Sequence, residues 1–166
     1  MKFEEVLEKR RSIRKYKDVP VPKGDILKIL ETARIAPSAG HRQPWHFVVV
    51  ENKETIKKLA KNEWAAEAPV MIVGLADQAA SPNWCRNDLG IALEHIVLAA
   101  TNLGLGTCWM GQTGREELIK GLLDIPDNFE VIAVIPIGVP NETPMPKERK
   151  SLDAIVSWGK YGSKSP

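Results

Sequence analysis

Apolar residues recur along the chain with two periodicities, and these predict alternating helices and strands. Helical spacing of apolar residues predicts helices over about residues 2–10, 23–35, 53–61 and 114–123. Short continuous apolar runs instead predict buried strands over residues 46–51, 70–76 and 129–138. Strands covered on both sides indicate a layered sheet with helices on each face. Alternation alone favours a doubly wound parallel sheet.

The longest apolar stretch, residues 81–111, is predicted to be the spine of the domain. Ser81 is a favourable cap and Pro82 suits a first helical turn, so the helix is expected to begin there. The helix is apolar on nearly all sides and should therefore be buried. Gly104 is expected to end it, and residues 107–110 then predict a short buried strand.

Composition and charge place limits on the class of protein. A length of 166 residues suits one domain, residues 1–166, with one substantial core. A formal net charge of +2 is too small to indicate a nucleic-acid partner. The longest apolar run is interrupted by charged residues, which argues against a membrane-spanning helix. The charged N-terminal residues do not resemble a secretory signal.

The cysteines and histidines predict neither a disulfide framework nor a metal site. Cys85 and Cys108 are the two cysteines, which favours a reducing compartment, so a cytoplasmic protein is expected. His41, His46 and His95 lie far from both in sequence, without the spacing of zinc ligands. Cys108 is expected to be a small core residue, whereas Cys85 is expected to be partly exposed.

A basic cluster at residues 10–15 admits two interpretations. Cations are favourable at the end of a helix, and this explanation needs no ligand. Alternatively, three arginines and Ser12 within five residues can offer forked donors and a hydroxyl to a phosphate. Spacing alone does not decide between a helix end and an anion site.

The loop over residues 36–47 is the second candidate for ligand binding. Its proline, serine and glycine residues predict irregular structure, yet it is rich in hydrogen-bonding and aromatic side chains. Loops held by a rigid scaffold often carry ligand sites. A polar surface turn over a packed tryptophan explains the same residues equally well.

The C-terminal tail does not look self-contained. Pro140, Pro144 and Pro146 predict an extended path, and Trp158 and Tyr161 are expected to be exposed. A long tail that ends in apolar residues often packs on a partner subunit. The hypothesis is therefore that this chain forms an oligomer.

Four short motifs, taken together, resemble one family. They are R-x-S-x-R at 10–14, P-S-x-x-x-x-Q-P-W at 37–45, G-L-G-T-C-W-M-G at 104–111 and P-K-x-R at 146–149. Their order and spacing look like the nitroreductase family of FMN-dependent oxidoreductases, over nearly the whole chain. The resemblance implies an α+β fold with a mostly antiparallel sheet flanked by helices on both faces. It also implies a homodimer with FMN at the subunit interface and the C-terminal segment exchanged with the partner.

The resemblance also assigns site residues. Those that look like the ligands of the FMN phosphate, ribityl chain and pyrimidine edge are Arg10, Arg11, Ser12, Arg14, Lys147 and Arg149. Those similar to the flavin-lining loop, contributed by the other subunit, are Pro37, Ser38, Ala39 and Gly40, followed by His41 and Gln43. The turn whose backbone N–H would approach the flavin N5 is Met110, Gly111 and Gln112.

Three departures from the family pattern affect the expected site. His41 stands where many members have asparagine, and an imidazole is larger and can become charged. Asn62 lies near the position of an asparagine that contacts the flavin in some members, in a loose register. The connection over residues 77–82 is short, so the helices that cover the site in longer members are missing.

The resemblance implies electron transfer from NAD(P)H to nitroaromatics, quinones or similar flat acceptors by a ping-pong mechanism. No side chain is expected to be a catalytic acid, base or nucleophile, because the flavin carries the chemistry. Alternatives are an FMN-binding protein of the same fold with another reaction, such as dehalogenation or flavin modification, or a non-catalytic flavin-binding role. The physiological acceptor and the preference for NADH or NADPH are left open.

Overall fold

An antiparallel sheet lies at the centre of the computed structural model, which describes residues 1–164. Its strands are β1 (Trp45–Val50), β2 (Val70–Asp77), β3 (Gly106–Thr107), β4 (Met110–Gly111) and β5 (Phe129–Gly138). The order is β1-β2-β5-β3, and β4 also pairs with β5. Every strand pair is antiparallel. The α+β class is confirmed, and the parallel sheet that alternation favours is wrong.

Helices cover both faces of this sheet, as the sequence predicts. They are α1 (Phe3–Lys9), α2 (Lys23–Arg34), α3 (Lys53–Leu59), α4 (Glu63–Ala66), α5 (Cys85–Asn102) and α6 (Glu116–Leu123). One buried cluster joins α2 and α5 to one face of the sheet. The other cluster joins α3, α4 and α6 to the opposite face. Single 3-10 turns occur at Ala39–His41 and Leu152–Ala154.

The central helix α5 packs directly on the backbone of β2. A Cβ atom at Gly74 would lie 2.8 Å from Cδ2 of Leu93, so the glycine lets the helix approach the strand closely. Leu93 itself is fully buried. The helix ends as expected, because Gly104 has a left-handed φ of 77°. Its N–H and that of Leu105 donate to carbonyls of the last helical turn.

The start of α5 differs from the sequence prediction. The helix begins at Cys85, and Ser81 with Pro82 belongs to a separate turn. The Ser81 carbonyl accepts the N–H groups of Trp84 and Cys85, while its buried hydroxyl has no partner within residues 1–164. Cys85 is buried rather than partly exposed. Cys85 belongs to the cluster that joins α2 and α5 to the sheet, and no local pattern in the sequence reports that burial.

One further local prediction is corrected, and one helix was not predicted. The buried strand expected over 107–110 is split into β3 and β4, because both pair with β5 at separate places. Trp109, which lies between them, is exposed. Helix α4 was not expected at all, since four residues are too few to show a periodicity.

None of the helices formed by residues 1–164 is both long and apolar enough to cross a membrane.

Candidate cofactor site

Two basic segments that are far apart in sequence line one cavity of about 450 Å³. The first contributes Arg10, Arg11, Ser12 and Arg14, and the tail contributes Lys147 and Arg149. All six are residues that the sequence assigns to the FMN phosphate and its neighbouring groups. The rest of the wall comes from α1 and the proline-rich part of the tail. The cavity therefore collects the cations of both segments.

The first basic segment is anchored on the sheet through Ile13. The Ile13 N–H donates to the Thr107 carbonyl at 2.8 Å. A Cβ at Gly106 would lie 2.6 Å from Cγ1 of Ile13, so only glycine admits this side chain against the strand. The Tyr16 hydroxyl donates to the Ile13 carbonyl at 2.7 Å, and burial raises the pKa of Tyr16, which keeps it a donor. The flanking arginines are thereby held outside the core.

The tail reaches the same place by pairing with the residues that follow Arg14. The Asn141 N–H donates to the Lys15 carbonyl at 2.9 Å. The Glu142 carboxylate accepts the backbone N–H of Arg14. These contacts lead the tail from the end of β5 past residues 14–15 and into the cavity wall.

Arg11 plays a partly structural role. Its guanidinium donates to the carbonyls of Glu8 and Arg10, which are left free where α1 ends. The helix-end interpretation is therefore correct for this one arginine. Arg10, Arg14, Lys147 and Arg149 form no ion pair with any carboxylate among residues 1–164. The Glu8 carboxylate also lines the cavity, but the cations outnumber it, and their positive charge and forked donors match the chemistry of a phosphate dianion.

Cys108 lies behind Ser12 and is buried. Burial raises the pKa of the Cys108 thiol, against the opposing effects of the Arg14 charge and a hydrogen bond with Ser12. A raised pKa keeps the thiol protonated to higher pH and lowers its thiolate fraction at any given pH. The expectation of an unreactive core cysteine is consistent with this environment.

We expect the native protein to react slowly with Ellman's reagent at pH 8. Both cysteines are buried, and the Cys108 thiolate is disfavoured. The same titration in guanidinium chloride should release the colour of two thiols. A native thiol that reacts as fast as free cysteine would contradict this prediction.

The loop over residues 37–43 adopts an unusual backbone. Gly40, His41 and Gln43 have φ values of 59°, 56° and 50°. Such left-handed conformations are unfavourable for residues other than glycine and are often retained at ligand sites. The Ser38 hydroxyl accepts the Gln43 N–H at 2.9 Å and holds the turn closed.

Asp88 connects this loop to the first turn of α5. Its buried carboxylate accepts the Ala39 N–H, at 3.1 Å and 3.2 Å from its two oxygens. The sequence analysis did not identify Asp88 as part of the site. A carboxylate in the first turn of a largely apolar helix was the available signal, because a buried charge needs a partner.

We expect Asp88→Ala to loosen the loop, since the Ala39 N–H loses its buried acceptor. Amide hydrogen exchange of a peptide spanning residues 38–43 should become at least about tenfold faster, equivalent to losing roughly 1.4 kcal/mol of local protection. Asp88→Asn, which keeps an acceptor oxygen, should lie close to the wild type. Equal exchange in all three proteins would show that Asp88 does not hold the loop.

In the turn formed by Met110, Gly111 and Gln112, the backbone at Gly111 has free space beside it. A Cβ at Gly111 would meet no atom within 4 Å. Gln112 is buried, and its amide nitrogen donates to the Met110 carbonyl. Gly111 and Gln112 line a second cavity of about 340 Å³, together with the Arg86–Glu130 ion pair.

Within one chain, the three groups of predicted site residues do not share a cavity. None of residues 37–43 or 110–112, all of which the structure describes, lines the basic cavity. The loop is attached to α5 at Asp88, whereas a cavity adjoining Arg11 touches α5 at Thr101. The helix rises about 1.5 Å per residue, so roughly 20 Å separate Asp88 from Thr101. Arg10 of the basic cavity lies between these limits, because its charge acts on Glu94. Asn62 is exposed at the start of α4 and is absent from the basic cavity.

Comparisons with known proteins agree on one family. The family model described as "Nitroreductase family" matches residues 7–66 and 56–139. A Methanothermobacter thermautotrophicus protein, provisionally named NADH dehydrogenase/NAD(P)H nitroreductase, is 38% identical over 160 residues, covering 91% of this chain and 84% of its own. The FMN-dependent nitroreductase of Clostridium difficile R20291 superposes with a TM-score of 0.86 at 34% identity, covering 94% of this chain and 98% of its own. Rat iodotyrosine deiodinase 1 is 29% identical over 194 residues, covering 93% of this chain and 68% of its own.

Proposed function

Because the chain belongs to the nitroreductase family of NAD(P)H-linked oxidoreductases, we propose that it binds FMN and passes electrons from NAD(P)H to flat acceptors. Nitroaromatics and quinones are the acceptor classes that we favour. The observation that carries the proposal is the basic cavity, where Arg10 and Arg14 meet Lys147 and Arg149. A phosphate group removed from water needs several cationic donors, and this cavity supplies them.

We also propose that the active form is a homodimer with FMN at the subunit interface. The separation of the loop over 37–43 from the basic cavity supports this, since the loop can line a flavin held by the partner. The exposed apolar residues of the tail support it too, because Leu152, Ile155 and Trp158 are more than half exposed in one chain. Light scattering tests this part of the proposal, and a monomeric mass would refute it.

The protein's contribution to the reaction is to bind, orient and provide charge. Bound FMN would supply the two-electron chemistry. Arg10, Ser12, Lys147 and Arg149 would hold its phosphate and neighbouring chain, and Arg14 would place positive charge beside the pyrimidine edge. Positive charge held in place beforehand favours the anionic reduced form over the oxidised form. The open backbone at Gly111 would let an N–H approach the ring closely.

No side chain is proposed as an acid, base or nucleophile. Donor and acceptor would stack in turn on the same exposed face, so the donor must leave before the acceptor binds. Ping-pong kinetics follow from that shared position. Flat shape, rather than a specific hydrogen-bond pattern, would then decide which acceptors react.

The first test is the visible absorption spectrum of the purified protein, followed by release and identification of the chromophore. Near-stoichiometric FMN, with oxidation of NADH or NADPH in the presence of a quinone, is the expected result. A colourless protein that takes up no added FMN would refute the proposal. If the protein binds FMN but neither NADH nor NADPH supports turnover, the proposed cofactor is retained and the proposed reaction is refuted.

Reductive dehalogenation of an aromatic substrate is the second candidate. The similarity to iodotyrosine deiodinase over 93% of this chain is the observation that favours it. The dithionite-reduced protein should then release iodide from iodotyrosine in a single turnover. Reoxidation by a quinone without iodide release would instead favour the first candidate.

A further inference from the structure

Helix α4 places an aromatic ring against one arginine of the basic cavity. The Cζ atom of Arg14 lies 5.7 Å from the centroid of the Trp64 ring, within the range of a cation–π interaction. Trp64 is half-buried and packs on the small cluster of Ile13, Tyr16 and Ala68. That cluster is anchored to the sheet, so the ring is attached to a fixed part of the molecule.

The other contacts of Arg14 hold its main chain and not its guanidinium. Its backbone N–H donates to Glu142, and the preceding residue, Ile13, is tied to Thr107. Among the hydrogen bonds and ion pairs formed by residues 1–164, none involves the Arg14 guanidinium. Among residues 1–164, the contact that the structure shows for the guanidinium itself is the Trp64 ring, while the Glu142 carboxylate lies at the Arg14 backbone N–H.

We propose that Trp64 is a positioning residue that holds the Arg14 guanidinium toward the bound cofactor. This inference rests on the proposed function, because it assumes that Arg14 faces the flavin. An arginine held over a ring uses none of its N–H donors in that contact, so all of them stay free for a ligand. A carboxylate partner would instead neutralise the charge that the reduced cofactor needs. An exposed arginine without any partner would lose that orientation to side-chain entropy.

Removal of the ring should affect the reduced cofactor more than the oxidised one. Arg14 would still be present, but it would occupy the productive orientation for less of the time. Trp64→Leu is therefore expected to weaken FMN binding by roughly 2- to 30-fold, which corresponds to the usual strength of a cation–π contact. It should also lower the flavin reduction potential in the same direction as Arg14→Ala, and by less. Trp64→Phe keeps an aromatic face and should lie close to the wild type.

The test measures the FMN dissociation constant and the flavin reduction potential of five proteins. They are the wild type, Trp64→Phe, Trp64→Leu, Arg14→Ala and the double variant of the last two. If Trp64 acts through Arg14, the double variant should match Arg14→Ala, since the ring has nothing left to orient. Thermal melting of each apoprotein separates this effect from a general loss of stability.

Three results would overturn the inference. The first is a Trp64→Leu protein with a lower melting temperature but the wild-type potential and dissociation constant, which would make the ring merely structural. The second is additive effects in the double variant. The third is measured on the wild type, so it does not depend on a variant that folds. It is the absence of an upfield ring-current shift for the Arg14 side-chain protons in the NMR spectrum. A wild type that binds no FMN would refute the proposed function itself, whereas these three results leave that function intact.

Discussion

Arg10→Ala is expected to weaken FMN binding by about 10- to 100-fold, the range set by the loss of charge-assisted hydrogen bonds. Arg10 lines the basic cavity and has no carboxylate partner among residues 1–164, so its charge is available to a ligand. Because the contact is ionic, the difference from the wild type should shrink as salt is raised. Titration of the apoprotein with FMN, followed by flavin fluorescence, measures the dissociation constant.

Lys147→Ala tests whether the tail shares the same phosphate. It removes a cation that lines the same cavity but lies more than 100 residues away in sequence, and it should also weaken binding severalfold. Lys57→Ala is the control, because Lys57 is an exposed lysine paired with Glu54 outside the cavity. If Arg10→Ala binds FMN like the wild type, the arginine cluster is only a charged helix end. If Lys147→Ala leaves the FMN dissociation constant unchanged while Arg10→Ala raises it, the tail is not part of the site.

Leu93→Ala is expected to destabilise the protein by about 2–5 kcal/mol, the usual range for a leucine removed from a core. Leu93 is fully buried on α5 and packs against the bare backbone of Gly74. Gly74→Ala should also destabilise, by about 1–3 kcal/mol, because the new methyl group would lie 2.8 Å from the leucine side chain. The double variant should be less destabilised than the sum, since the new methyl group occupies part of the space that Leu93 leaves.

Denaturant unfolding of each apoprotein at the same protein concentration measures the differences in free energy without a ligand contribution and with assembly held at the same concentration. Gly24→Ala is the matched control, because a Cβ at Gly24, in α2, would meet nothing within 4 Å. It should be neutral or slightly stabilising, as expected for alanine in a helix. A Gly74→Ala protein as stable as the Gly24→Ala control would show that α5 does not rest on the strand as described.

The sequence by itself determined the longer helices and strands and where the core helix ends. Helical periodicity and continuous apolar runs are local properties, so they predicted α2, α3, β2 and β5 closely. Gly104 marked the end of α5 because only a left-handed residue closes the last turn in this way. The motifs were likewise sufficient to identify the family and six of the residues that line the basic cavity.

Local patterns were insufficient wherever a long-range contact made the decision. Helix α5 begins three residues later than Pro82 suggests, and Cys85 is buried in the cluster that joins α2 and α5 to the sheet. Helix α4 has only four residues, which is too short for any period to appear. The antiparallel direction of β2 and β5 also depends on how the chain returns, a property that strand composition does not report.

In the candidate site, too, the sequence predicted the residue types and the tertiary structure determined how they come together. The sequence supplied two groups of cations and left open whether the first was a helix end or an anion site. Pairing of the tail with residues 14–15 brings the groups together, and Arg11 proves to serve the helix end while also lining the cavity. The Asp88–Ala39 and Trp64–Arg14 contacts each join residues about 50 positions apart in the sequence. Only the tertiary structure could reveal these contacts, because the packing of α4 and α5 on the sheet sets which residues meet.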